Sequence, residues 1–290
     1  MPPPTRSPEP TLRSGPEPSP SAPGSRSFIH ALAFTSDHSP DGQTMTGRLS
    51  VVDAVRFPGT SWLRPSVLTT VADCLAGMPA CLVTAPRLAV TLDIIVRSVA
   101  TPSGTHVDIV GEIVKRGRSV VAAEVTFLDG ATGSLVAMAY LTFMASPRPQ
   151  DGTPPVLSGM RATGSLPLPF PEYVEVEVVA PGVAEVALRP FVEQASGSLQ
   201  GGVIALVAEV AAESLAGRAI VDLDTRYQSG VRIGPGRAVA APVGEDLVRV
   251  EVRDVGHDDR LAALVMARLG DSLELPAGGA ARPATRGIGS

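Results

Sequence analysis

A glycine pair running straight into an apolar helix limits this chain more than any other feature: Leu199 to Gly217 reads LQGGVIALVAEVAAESLAG, with Glu209 inside the helix. A weaker echo lies upstream, where Leu63 to Gly77 reads LRPSVLTTVADCLAG. In both, six residues separate a small pair (Pro65-Ser66, Gly201-Gly202) from an acid (Asp73, Glu209). Two copies of one unit is the reading this spacing suggests. A helix that is apolar round most of its circumference must be covered by other elements.

The chain in order supports a duplication. Residues 1–26 are Pro, Ser, Gly and Arg with almost nothing apolar, a composition that cannot offset chain entropy, so a disordered tail is expected there. Unit 1 is expected over 27–145. Thr44 to Asp53 reads as a strand, and Pro65 suits a first helical position because its missing N–H costs nothing there. The helix is expected over Ser66 to Met78, ended by Pro79. Four runs rich in β-formers follow (88–96, 105–115, 119–128, 135–144), separated by turn chemistry, and consecutive antiparallel pairing is expected of them. Residues 146–170 read as a Pro/Gly-rich linker. Unit 2, over 171–270, repeats the order: strands at 173–179 and 183–188, the Gly-Gly helix, then strands at 220–227, 238–241, 247–253 and 261–269. TLD at Thr91 to Asp93 answers DLD at Asp222 to Asp224. The last 20 residues are expected to fray. Each half is thus strand, one apolar helix and an antiparallel meander, an α+β arrangement in which a strongly curved sheet would wrap the helix.

Composition removes several function classes. With 290 residues and 29.8 kDa the chain can bury a full core. Its mean hydropathy is +0.21, but the apolar run Val203 to Val221 is interrupted by Glu209, Glu213 and Arg218, so no membrane span is expected from it. MPPPTRSPEP lacks the apolar region of a secretory signal, which points to a cytoplasmic protein with reduced thiols. Cys74 and Cys81 stand about 10 Å apart along a helix, too far for a disulfide, and read as small buried apolar residues. A net charge of −5 with dispersed basic residues and 4% aromatics is unlike a nucleic-acid binder. No G-x-S-x-G elbow, phosphate loop or metal-ligand spacing is present, and no cofactor is implied.

The residues GGVIALVAE, ending on Glu209, and PSVLTTVAD, ending on Asp73 in the context ADCLAG, resemble the hotdog-fold thioesterases, in particular the PaaI-like acyl-CoA thioesterase group. That group has a His-Gly-Gly turn, six residues, then a catalytic acid in the central helix. The resemblance covers most of residues 28–270 as two tandem units, a double hotdog. It departs at the histidine, which is Arg64 in the first half and Gln200 in the second, and at Pro65-Ser66, which replace the glycines. The resemblance implies thioester hydrolysis of an acyl-CoA or acyl-carrier substrate, by a chain that is a monomeric pseudo-dimer or a homo-oligomer.

Such chemistry needs a carboxylate to activate water or attack the carbonyl, and a positive end to receive the oxyanion. Helix N-termini supply the second. Gly202, with Gly201 behind it, is the candidate donor, because a residue without Cβ lets a thioester oxygen approach. In dimers of the family the acid of one unit faces the helix N-terminus of the other, which would pair Asp73 with Gly202 and Glu209 with Ser66. The first pairing is favoured, since Pro65 lacks an N–H and Ser66 carries a side chain. Gln194, Ser66, Thr70 and Gln200 are the candidate substrate-binding residues. Other readings stay open. Thr69, Thr70 and Asp73, or Glu209 with Glu213, also fit the solvated stripe of an amphipathic helix, and Lys115, Arg116 and Arg118 fit a solvated hairpin as well as a coenzyme A phosphate site. A hotdog dehydratase or hydratase would use a His with an acid, and His30, His38, His106 and His257 adjoin neither helix in sequence. A non-catalytic acyl-ligand binding or scaffolding module would accommodate the lost histidine.

Overall fold

The computed structural model describes residues 27–39, 41–149, 161, 164–194 and 196–270; the two expected tails and most of the expected linker lie outside them. The first half runs β1 (Phe34–His38), β2 (Thr44–Ser50), α1 (Pro65–Thr84), β3 (Arg87–Ser98), β4 (His106–Arg116), β5 (Val120–Asp129) and β6 (Leu135–Pro149). The second runs α2 (Phe170–Val174), β7 (Glu177–Ala180), β8 (Val183–Val186), β9 (Glu193–Gln194), β10 (Ser198–Leu199), α3 (Gly201–Ala216), β11 (Ile220–Tyr227), β12 (Gly236–Pro242), β13 (Leu247–Asp254) and β14 (Arg260–Leu269). The result is an α+β fold dominated by antiparallel sheet. Among the described residues, twelve strands form one sheet in the order β1-β2-β4-β5-β6-β3-β11-β14-β13-β12-β8-β7.

That order corrects the consecutive pairing expected of the first half. β4, β5 and β6 do pair in succession, but β3 leaves its sequence neighbour β4 and lies between β6 and β11. The same skip recurs in the second half, where β11 lies between β3 and β14. Both post-helix strands therefore meet at the centre of the sheet. The seam places Arg97 opposite Asp222 and Asp93 opposite Arg226, so opposite charges face each other across it. Arg97 also pairs with Asp224, and Arg268 with Asp222 at 2.7 Å.

The two helices fill one side of this sheet. α1 touches β2 to β6, α3 touches β7, β8 and β11 to β14, and the helices touch each other. Strand β5 shows why the sheet presents an apolar face: Val121, Ala123, Val125 and Phe127 are buried while the residues between them are not, the two-residue period of a strand with one face inward. Every residue of α3 from Gly202 to Ala212 is buried, as its all-round apolar pattern requires. It ends at Gly217, whose φ of +63° is left-handed and whose N–H donates to Glu213 O.

Helix α1 is longer than expected, because it continues through Pro79 to Thr84. A proline inside a helix removes the N–H that would bond the carbonyl four residues earlier, here Leu75 O. His38 Nε2 lies 3.3 Å from that oxygen and supplies the missing donor from β1. At 20 residues α1 is long and apolar enough, by length and composition, to cross a membrane, and in this fold most of it is packed inside the protein. A second difference concerns residues 173–179, expected as strand: Tyr173 and Val174 close the short α2 instead, and β7 begins at Glu177.

The halves share a turn device that their sequences do not advertise. Asp129, the last residue of β5, accepts N–H bonds from Ser103 and Gly104 in the loop after β3. Asp254, the last residue of β13, accepts them from Arg232, Ile233 and Gly234 in the loop after β11. A buried carboxylate satisfied by backbone donors pins each loop to the strand beside it.

Candidate active site

The amino end of each helix faces the acid of the other. At the amino end of α3, Gln200 is the N-cap, and its Oε1 accepts the Gly202 N–H at 2.6 Å. That leaves its Nε2 aimed at Asp73 Oδ2, 3.4 Å away on α1. Thr91, on β3, donates its hydroxyl to Asp73 Oδ1 at 2.9 Å. Tyr227, the last residue of β11, donates its hydroxyl to Gly201 O at 2.9 Å. A Cβ added at Gly201 would stand 3.1 Å from the Tyr227 hydroxyl and 3.3 Å from Asp73 Oδ2, so Gly201 forms the floor of a slot between those two groups. Both Gly201 and Asp73 are partly exposed.

The glycines divide their work differently from the sequence expectation. Gly202 is buried, and a Cβ there would lie 1.9 Å from Thr70 Oγ1; it is glycine because the helices cross tightly at that point. Its N–H is already taken by Gln200, which removes it as the free donor. The Gly201 N–H has no partner among the described residues. It is the donor at this helix end that is left to a ligand.

Burial sets the electrostatics here. It pushes the Asp73 carboxyl up to about 6, with the Thr91 hydrogen bond pulling the other way. Tyr227 is raised well above the usual phenol range, first by burial and then by the neighbouring Asp73 charge. Beside them, burial pushes the Cys74 thiol up as well, the opposite of what a nucleophilic thiol needs.

The amino end of α1 is arranged otherwise. Glu209 Oε2 accepts the Ser66 N–H at 3.0 Å, so the carboxylate itself occupies the helix end. Arg64, the N-cap residue, sends Nη1 to Glu209 Oε1 at 3.3 Å and to Glu213 Oε1 at 2.7 Å, and its guanidinium lies over the Phe57 ring. Glu209 and Ser66 are fully buried and Arg64 is 3% exposed, which leaves no opening comparable to the Gly201 slot. Burial opposes the Arg64 charge, yet Glu213 and Glu209 hold its pKa above the ordinary guanidinium value. Burial pushes Glu213 well above the usual carboxylate range; the Arg64 charge opposes this and the Glu209 charge adds to it.

The remaining candidates are scattered. Thr70 is buried, donates to Ser66 O at 2.8 Å and packs against Gly202. Ser66 and Thr70, expected to meet substrate, are thus enclosed between the helices. Gln194 stays exposed on the β9–β10 hairpin and donates to Ser198. Arg116, at the end of β4, reaches Asp41 O in the β1–β2 loop, and Arg87 on β3 reaches Arg118 O in the β4–β5 turn. Thr91 and Tyr227 escaped the sequence reading. The TLD echo contained Thr91, but nothing local to either strand announces that it ends against a helix acid.

Residues before α3 hold Gln200 in place. Its N–H donates to Val192 O, and the adjacent Phe191 packs edge-on to Phe28 and Tyr173, while Phe28 also packs against Phe170. The Phe28 N–H donates to Phe191 O, so the start of the first half braces the loop that presents the cap.

No protein-family model matches the sequence, and no curated protein matches it. Solved structures do. An acyl-ACP thioesterase from Bacteroides thetaiotaomicron superposes with a TM-score of 0.55 at 12% identity, covering 80% of this chain and 100% of that one. A 12:0-ACP thioesterase from Umbellularia californica gives 0.55 at 11% identity, over 78% and 97%. At such identities the likeness is one of fold, the hotdog fold.

Proposed function

We propose that the chain is a thioester hydrolase whose single working site lies between Asp73 and the amino end of α3, in a tandem, double-hotdog arrangement. The observation that carries this reading is the slot at Gly201. It sets an accessible carboxylate, raised to about 6, beside a helix N-terminus with an unused N–H.

The chemistry follows from those two groups. Asp73 takes a proton from water as the water oxygen attacks the thioester carbonyl carbon. The carbonyl oxygen gains the electron pair and is received by the Gly201 N–H and the positive end of α3. The oxyanion then collapses, the C–S bond breaks, and the departing thiolate receives the proton held by Asp73. A carboxyl near 6 is mostly ionised at neutral pH and still basic enough to accept that proton. Gln200 and Thr91 orient the carboxylate, and Tyr227 orients the Gly201 peptide. The four substrate groups named from sequence reduce in this reading to Gln200; Ser66 and Thr70 are packing groups, and Gln194 has no part. The acyl carrier is coenzyme A or a carrier protein.

The test is a panel of acyl-CoA and acyl-carrier-protein thioesters assayed for free thiol, with Asp73→Asn beside the wild type. We expect Asp73→Asn to lower turnover on the order of 100- to 10,000-fold. Equal turnover in both would reject the assignment, and no turnover by the wild type on any substrate would favour an acyl-binding module. Hydration of an enoyl thioester would instead indicate the dehydratase class. Against that class, none of the hydrogen bonds made by the four histidines reaches Asp73 or Gly201.

A further inference from the structure

The amino end of α1 stands at the same spacing from the acid further along its own helix as the amino end of α3 does, yet its donors are consumed inside the protein. The Ser66 N–H is the counterpart of the Gly202 N–H in sequence spacing, and it is bonded by Glu209 Oε2 at 3.0 Å. The Glu209 carboxylate also meets the Arg64 guanidinium, so it is bound as an anionic ligand would be: one backbone donor, one cation, and no solvent. Three further polar atoms around this end, Arg64 Nε, Ser66 Oγ and Thr69 Oγ1, are buried without partners among the described residues. Such donors are costly unless an anion or water serves them.

We propose that the amino end of α1 is a self-liganded site: the Glu209 carboxylate is a built-in anion that fills and locks it, and the cleft would take a small carboxylate if that side chain were cut away. The side chains explain the difference from the α3 end. Glutamate is one methylene longer than aspartate and spans the gap to the opposing helix, whereas Asp73 stops short of Gly201. Arginine at the N-cap adds the charge that holds the carboxylate, whereas Gln200 adds none. Glu213 Oε1 also meets Arg64 Nη1, at 2.7 Å against 3.3 Å for Glu209, and only Glu209 reaches on to the helix backbone.

The experiment uses the full chain and reads thermal unfolding. Glu209→Ala leaves the buried Ser66 N–H without its acceptor and Arg64 with Glu213 alone, and we expect Tm to fall by about 10 °C. Added formate or acetate should restore part of that loss along a saturating curve, as a ligand bound only by the folded state does, while chloride at equal ionic strength should not. An unchanged Tm, or a loss that chloride repairs as well as formate does, overturns the proposal. Should Glu209→Ala refold poorly, Glu209→Gln carries the test. It keeps an oxygen for Ser66 and loses the charge, so Tm should fall while thiol release stays within about threefold of wild type. A Glu209→Gln protein that keeps its Tm and loses thiol release about 100-fold would make Glu209 a catalytic base and end the proposal. The hydrolase reading fails separately, in the thiol release of the wild type, so the two cannot be confused.

Discussion

Two helix ends with one spacing have been put to opposite uses. From N-cap to the acid on the same helix the intervals are identical, Arg64 to Asp73 and Gln200 to Glu209. At the α3 end the N-cap is a neutral amide, the next residue is glycine, and the facing acid is an aspartate that stops short, which leaves a slot. At the α1 end the N-cap is arginine, the next residues are proline and serine, and the facing acid is a glutamate that reaches the backbone. The difference teaches that a helix N-terminus becomes a site only when the chain declines to fill it. One methylene and one charge separate a cleft from a lock.

The sharpest way to break this contrast is Asp73→Glu. The longer acid should reach the Gly201 N–H and cap α3 as Glu209 caps α1, lowering thiol release on the order of 100-fold, the cost of losing one oxyanion donor. Unfolding should show Tm equal to or above wild type; a Tm loss with the activity intact would mean that the slot is not set by side-chain length. Next in size is Gly202→Ala, whose new methyl meets Thr70 Oγ1 at 1.9 Å between two packed helices. Overpacking of this kind should cost about 1–3 kcal/mol in chemical denaturation, and Thr70→Ala should relieve part of it.

Titration separates the ends next. Because the folded Asp73 prefers its proton up to about pH 6, against 3.8 in the unfolded chain, stability is greatest below the lower value and declines as pH rises through the upper one. The decline attributable to this group is up to about 3 kcal/mol. Asp73→Asn removes it, so the variant should gain on the wild type between pH 4 and pH 8 in parallel denaturation curves. In the wild type, kcat/KM should climb through about pH 6 and level off above it, the profile of a base that must be ionised. The smallest effect is expected of Tyr227→Phe. It removes only the hydrogen bond to Gly201 O, and a net loss of about 0.5–1.5 kcal/mol corresponds to roughly 2- to 10-fold in kcat. A change confined to KM would place Tyr227 against the substrate rather than against the helix.

Much of the architecture is legible in the sequence. Both helices, the acids on them and most strands follow from patterns that span a few residues, because side-chain period and turn chemistry are local properties. Pro79 does not end α1, for a physical reason: its cost depends on whether another element serves the carbonyl it abandons, and His38 does so from a strand 37 residues away along the chain. The order of β3 was equally hidden, since pairing with β11 satisfies a strand that the local turn between β3 and β4 leaves undecided.

By itself the sequence determined two largely apolar helices, each with a small pair at its head and an acid six residues on. Tertiary structure alone decided which acid stands open and which is sealed. The surroundings of Asp73 come from Thr91 on a central strand and from Gln200 and Tyr227 in the other half, and those of Glu209 from Arg64 and Ser66 at the far helix. Whether a carboxylate stands open or sealed depends chiefly on the reach of side chains from the other half, more than a hundred residues away along the chain. No local pattern carries that distance; packing of the two helices against one sheet does.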